Sequence, residues 1–373
     1  MKNYFATICL ILSIILYFFY NMMESTLFFV GGTFCALPGI IGLLTTECKD
    51  IKSFAFVVLA GSLLNMLFTS YGFGGSLIFM VACGITYSSL KRLKVFFNLV
   101  FFICLGLVCF LYYQMLVLET VNGDIFLDYG LSKNYPGSML VIFNSLWAVW
   151  KYLHYKRMPL LLPILSTIMA FFLDGRSSLI CMILITVLCF VDRGSKLTIS
   201  LMILIFTFLL INYWGVITGF YELTSISSRG LETVRSDIWK AYFDYLDFST
   251  LLFGLDTQNL PVLKEFGGNP HNSFFSFHRR MGLVGLCMLF YVLMKGFRAL
   301  IKRRLYVVLY FNIVLLVRMF FDGMLMTAQD FFIFTLFFLP LSYNNKVFQI
   351  EDQLEKKGVN RLERLWDKFV FII

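Results

Sequence analysis

Apolar runs broken by short polar segments fill most of the chain. A helix crosses a hydrocarbon core with about 20 residues. Twelve runs approach that length: 4–20, 26–44, 53–70, 73–90, 95–118, 137–153, 158–173, 177–191, 197–220, 281–297, 305–321 and 331–344. Two polar stretches are longer than a turn, 119–136 and 221–280. In the second, Val234, Ile238, Ala241, Tyr242, Tyr245 and Phe248 recur at helical spacing, with Arg235, Asp237, Lys240, Asp244 and Asp247 between them. That pattern predicts an amphipathic helix over 233–252. It lies outside the apolar runs, and Phe253-Gly254-Leu255-Asp256 follows as a turn.

Composition sharpens this picture. Of 373 residues, 59% are apolar and 14% charged, with 44 Phe and a mean hydropathy of +0.81. Soluble domains carry about 45–50% apolar and about 25% charged residues. A water-soluble globule, a disordered chain and a disulfide-framed secreted domain are excluded. The nine cysteines (9, 35, 48, 83, 104, 109, 181, 189 and 287) lie in or beside apolar runs and read as small hydrophobes. The first twenty residues, one Lys and then an apolar run, read as an uncleaved span. The expected fold is therefore an all-α polytopic membrane protein of twelve helices. Spans one to nine occupy 1–220, a large external loop 221–280, spans ten to twelve 281–345, and an amphipathic interfacial tail 346–373.

The net charge of +9 does not point to nucleic acid, because the cations sit between the runs and in the tail. With the N-terminus in the cytoplasm, 22 of the 31 Lys and Arg fall inside and nine outside. The positive-inside rule then holds at every hairpin and puts both termini in the cytoplasm. Six of the outside nine are Arg (176, 229, 235, 279, 280 and 318), whereas Lys leads inside by 14 to 8. Guanidinium is preferred where phosphate is gripped by a rigid fork of donors.

The candidate chemistry lies before the tenth run, in Gly267-Gly268-Asn269-Pro270-His271-Asn272. Asn269 suits an N-cap and Pro270 a first helical position, so His271 is expected in the first turn of a helix that continues into span ten. Such an N-terminus offers free N–H groups to an anion. His278 follows seven residues on, almost on the same face, and Gly282 and Gly285 allow another helix to approach closely. Arg318 and Asp322, four apart, are spaced for a salt bridge, and Asp330 lies in the same last external hairpin. No external acidic cluster has metal-ligand spacing, so neither a metal nor another cofactor is expected.

At these residues the sequence resembles the bacterial O-antigen polymerase and O-antigen ligase superfamily. Its signature is His-Asn, nine residues, then Gly-x-x-Gly, which His271-Asn272 and Gly282-Leu283-Val284-Gly285 match without a gap. Arg235-Ser236-Asp237-Ile238-Trp239 before Gly254-Leu255-Asp256 is similar to the family's Arg-rich loop entry. Asp174-Gly175-Arg176-Ser177-Ser178 is similar to its opening of a mid-chain span. The overlap covers about residues 160–300.

The resemblance implies a GT-C-like, inverting, metal-independent glycosyltransferase at the periplasmic face of the inner membrane. Donor and acceptor would be undecaprenyl-diphosphate-linked glycans, with chain length set by a separate regulator. His271 would orient or deprotonate the attacking hydroxyl. Arg176, Arg229, Arg235, Arg279, Arg318 and Asn272 would hold the diphosphate or substrate. One large catalytic loop beside one moderate loop favours a polymerase over a ligase acting on lipid A-core. A transporter or flippase would carry mid-span charges or symmetric broken helices, and an acyltransferase an intramembrane His-Asp signature; the sequence has neither.

Overall fold

A computed structural model describes residues 2–23, 25–46, 48–69, 74–117, 134–173, 175–193, 235–264, 268–325 and 330–342. Among these residues the chain is helical, with no strand. The first eight helices are α1 (Lys2–Met23), α2 (Thr26–Thr45), α3 (Lys49–Asn65), α4 (Gly74–Lys91), α5 (Leu93–Val117), α6 (Asn134–Tyr155), α7 (Leu161–Phe172) and α8 (Arg176–Arg193). Then come α9 (Arg235–Asp244), α10 (Phe248–Phe253), α11 (Pro261–Lys264), α12 (Ser273–Lys302), α13 (Tyr306–Phe320) and α14 (Asp330–Ser342). Eleven of the twelve apolar runs fall on helices, and 197–220 lies outside the described residues. Three helices, α2, α5 and α12, are long and apolar enough by themselves to cross a bilayer, compatible with a helical membrane protein.

The described residues form two compact units, 2–100 with 235–342, and 101–193. In the first unit α2 is apolar outside and small inside. Leu27, Val30, Phe34, Leu37, Ile41 and Leu44 form an exposed stripe, while Gly32, Ala36 and Gly39 are buried. That inversion suits a helix surrounded by lipid, where small residues let backbones meet. A Cβ on Gly39 would collide with the Gly84 carbonyl of α4. By contrast α14 is mostly apolar and buried along its length. In the second unit Asn144 of α6 donates to Ser166 Oγ of α7 at 2.9 Å, and Gly137 of α6 leaves room for the Ser178 side chain of α8.

The helix that begins beside His271 does not run straight into the tenth run as expected. At Gly282 the backbone leaves the helical region (φ 63°, ψ −174°), and α12 becomes a hairpin with arms 273–281 and 283–302. Phe274 stacks on Phe290 with ring centroids 5.4 Å apart. In a straight helix these residues would be about 24 Å apart. Gly282 is required twice over: its φ is positive, and a Cβ there would strike the Leu252 carbonyl of α10. Gly285 admits the Met281 and Phe277 side chains of the helix's own first arm, while Gly61 of α3 meets the Met281 carbonyl. The Gly pair therefore serves the hairpin as well as a neighbouring helix.

Candidate functional site

The first arm of α12 is anchored at its base by Asn272. Its side chain accepts from the N–H groups of Phe274 (2.9 Å) and Phe275 (3.2 Å) and donates to the Phe320 carbonyl at 3.0 Å. Asn272 is thus the N-cap, and the expected cap at Asn269 is corrected. Asn269 Oδ1 instead accepts from the His271 N–H at 2.9 Å, a local turn ahead of the helix. Pro270 lies before the helix, and its carbonyl accepts from Trp239 Nε1 at 3.1 Å. Because Asn272 takes the N–H groups of Phe274 and Phe275, two donors expected to face an anion are already used.

His271 adopts φ 48°, a left-handed conformation unusual for a residue with a side chain. The Asn269 turn on one side and the Asn272 cap on the other hold it there. Burial pushes its imidazole below the ordinary 6.5; Arg235 lowers it further, and Asp322 pulls the other way. His271 is therefore largely neutral at pH 7.

Asp322 sits almost fully buried beside Arg318, which is 0% exposed. Arg318 Nη2 donates to Asp322 Oδ2 at 2.6 Å, the pair expected from their spacing. Burial raises the carboxyl, yet the Arg318 charge and hydrogen bond, the Gly323 N–H and His271 together hold it below the usual carboxylate range. Ser273 Oγ donates to the Asp322 carbonyl at 2.6 Å and accepts from the Met324 N–H at 2.7 Å. The base of the first arm is stitched in this way to the loop after α13.

The remaining candidates divide. Arg235 opens α9 within electrostatic reach of His271. Arg279 reaches Thr257 Oγ1 at 2.8 Å and the Gly268 carbonyl, so it clamps the loop between the 3₁₀ turn Thr257–Asn259 and α12. Arg176 opens α8 in the other unit, and Arg229 lies outside the described residues. The expected helix over 233–252 is two, α9 and α10, joined at the Asp247 cap. The proposed loop residues 119–133 and the tail also lie outside the described residues.

His278, the other external histidine, is structural. Its Nε2–H donates to the Leu251 carbonyl at 2.8 Å, so Nδ1 accepts from the Tyr242 hydroxyl at 2.7 Å. Both ring nitrogens are engaged, and Tyr242 stacks flat on Phe275 at 4.7 Å. Ile238, Tyr242, Leu255, Leu260 and Leu263 form a small core that holds α9 to α11 together.

Asn65 of α3 escaped the sequence reading. Its Nδ2 donates to the Arg279 carbonyl at 2.9 Å and to the Phe253 carbonyl, and its Oδ1 accepts from Thr69 at 2.8 Å. The break at Gly282 strips carbonyls just before it of their helical N–H partners, and Asn65 supplies one. A lone buried amide at the end of an apolar run was the available signal. Among the described residues no three His, Cys, Asp or Glu side chains gather to hold a metal ion.

No protein-family model matches the chain, and no curated protein matches it.

Proposed function

We propose that this protein polymerises O-antigen or a related surface polysaccharide at the periplasmic face of the bacterial inner membrane. In this reading the twelve runs are twelve spans with both termini cytoplasmic, and the fold is GT-C-like. The observation that carries it is His271: neutral, held in a left-handed conformation, and flanked by Arg235 and the Arg318–Asp322 pair. His271 stands at the head of the His-Asn, nine-residue, Gly-x-x-Gly motif.

His271 takes the proton from a sugar hydroxyl of a lipid-linked repeat unit. The freed oxygen attacks the donor's anomeric carbon from the side opposite the diphosphate. As the new glycosidic bond forms, the bond to the diphosphate oxygen breaks, and configuration inverts. The lipid diphosphate leaves with its charge met by Arg235. Arg318 tunes His271 through Asp322 and is not a direct phosphate ligand in this scheme. Arg279 acts by holding the loop.

The deciding experiment is the polysaccharide ladder of a deletion strain, with and without the gene restored. Lipid A-core carrying a single repeat in the deletion, and a full ladder on restoration, is the polymerase outcome. Long lipid-linked polymer with none attached to the core would identify a ligase instead. An unchanged ladder would overturn both and return the chain to transport.

A further inference from the structure

One apolar surface of the first unit is unexplained by the site. At the corner between α9 and α10, Phe243 is 57% exposed and Phe248 78%, with Tyr245 and Leu251 exposed beside them. These side chains belong to the polar stretch 221–280, outside every apolar run. They are not on a loose segment. The Asp247 carboxylate accepts from the Thr250 N–H at 2.7 Å while Thr250 Oγ1 accepts from the Asp247 N–H at 2.8 Å, a closed capping box. The corner is preorganised with its aromatic side chains outward.

The patch runs on into the outer face of the apolar helices. Phe253 at the end of α10 stacks on Phe68 with ring centroids 4.0 Å apart and planes within 8°. Phe68 and Leu67 are themselves exposed just past α3, and Leu64, Leu63 and Phe56 continue the exposed face down that helix. On its other side α10 rests on the Gly282 pivot, two residues before exposed Val284 of α12. A surface that extends the outward apolar faces of two span-like helices, and ends in aromatic rings, matches the zone where bilayers meet water.

We propose that the α9–α10 corner is a membrane-docking wedge, seated in the interfacial zone of the leaflet above α3 and α12. Its partner is the lipid surface itself. Docking has a consequence for the site. α10 supplies the Leu251 carbonyl that holds His278 and the Leu252 carbonyl packed over Gly282, so a seated wedge braces the pivot from which the first arm hangs. The arm then carries His271 at a fixed distance from the membrane plane. The wedge stands whether or not the protein transfers sugars, because it rests on the exposed surface alone.

The test is photo-crosslinking in native membranes. Phe248→p-benzoylphenylalanine and, separately, Tyr245→p-benzoylphenylalanine place the probe on the wedge, and Lys240→p-benzoylphenylalanine places it on the exposed polar side of α9. Irradiation is expected to give phospholipid adducts, identified by mass spectrometry, at 248 and 245 and not at 240. A crosslinked dimer at 248 and 245 would overturn the proposal in favour of a self-association surface. Lipid adducts at none of the three positions, or equally at all three, would overturn it outright.

Discussion

His271 shows how residue-scale electrostatics can be tested. Burial and Arg235 lower its imidazole while Asp322 raises it. The acid limb of activity is therefore expected below pH 6.5 in isolated membranes. Arg235→Gln removes a charge that keeps the proton off and should move the limb up; Asp322→Asn should move it down. A limb unmoved in both variants would show that His271 is not the titrating group. His271→Ala, at unchanged protein level, is expected to lower the proposed polymerisation by about 10²–10⁴-fold, the usual contribution of a general base.

Stability follows the same signs. A histidine with a depressed folded pKa gives stability that is complete above 6.5 and is lost as pH falls through the folded value. Asp322, depressed below its ordinary 3.8, gives stability that persists to more acidic pH and is lost as its own folded pKa is crossed. Acid should destabilise the detergent-solubilised protein in two successive ranges. Asp322→Asn leaves Arg318 buried without its counter-charge, at a cost of about 3–5 kcal/mol, read as a lower unfolding temperature.

At the scale of elements the hairpin of α12 makes the sharpest prediction. Spin labels at Phe274 and Phe290 should show strong dipolar broadening, because the two side chains stack. A straight helix would hold them about 24 Å apart and show none. Gly282→Ala is expected to destabilise by about 1–3 kcal/mol through backbone strain, with a further cost from the clash with Leu252. Asn65→Ala leaves the Arg279 and Phe253 carbonyls without their amide donor, at about 1–3 kcal/mol. Thermal unfolding of each variant measures both costs. Neither hairpin nor brace was legible in the sequence. Gly-x-x-Gly is compatible with a straight span packed on a neighbour, and the Leu252 carbonyl over Gly282 is visible only in the folded chain.

The whole molecule was legible in its class and less so in its interior. The helical character of eleven runs followed from length and apolarity, which are local properties. The face of α2 that carries most of its large apolar side chains is exposed, while Gly32, Ala36 and Gly39 are buried, a pattern that suits lipid. None of the nine cysteines is in a disulfide, so reductant is expected to leave the unfolding temperature unchanged; a drop on adding it would reveal a disulfide. The buried Arg318–Asp322 pair was also foreseen, because a spacing of four on a helix places the two side chains on one face.

The N-cap was misplaced by three residues for a tertiary reason. Asn269 and Asn272 are equally good caps in local terms. Asn272 prevails because its amide also reaches the Phe320 carbonyl at the end of α13, a partner 48 residues away. The same logic separates the cations. Arg235 and Arg279 look alike in sequence, yet one lies within electrostatic reach of His271 and the other is taken up by Thr257 and Gly268. The sequence by itself determined what depends on solvent preference along the chain: helices, and an amphipathic segment outside the apolar runs. Only the tertiary structure decided which residues meet, because hydrogen-bond partners at a helix end and the room around a glycine are set by segments far away in sequence.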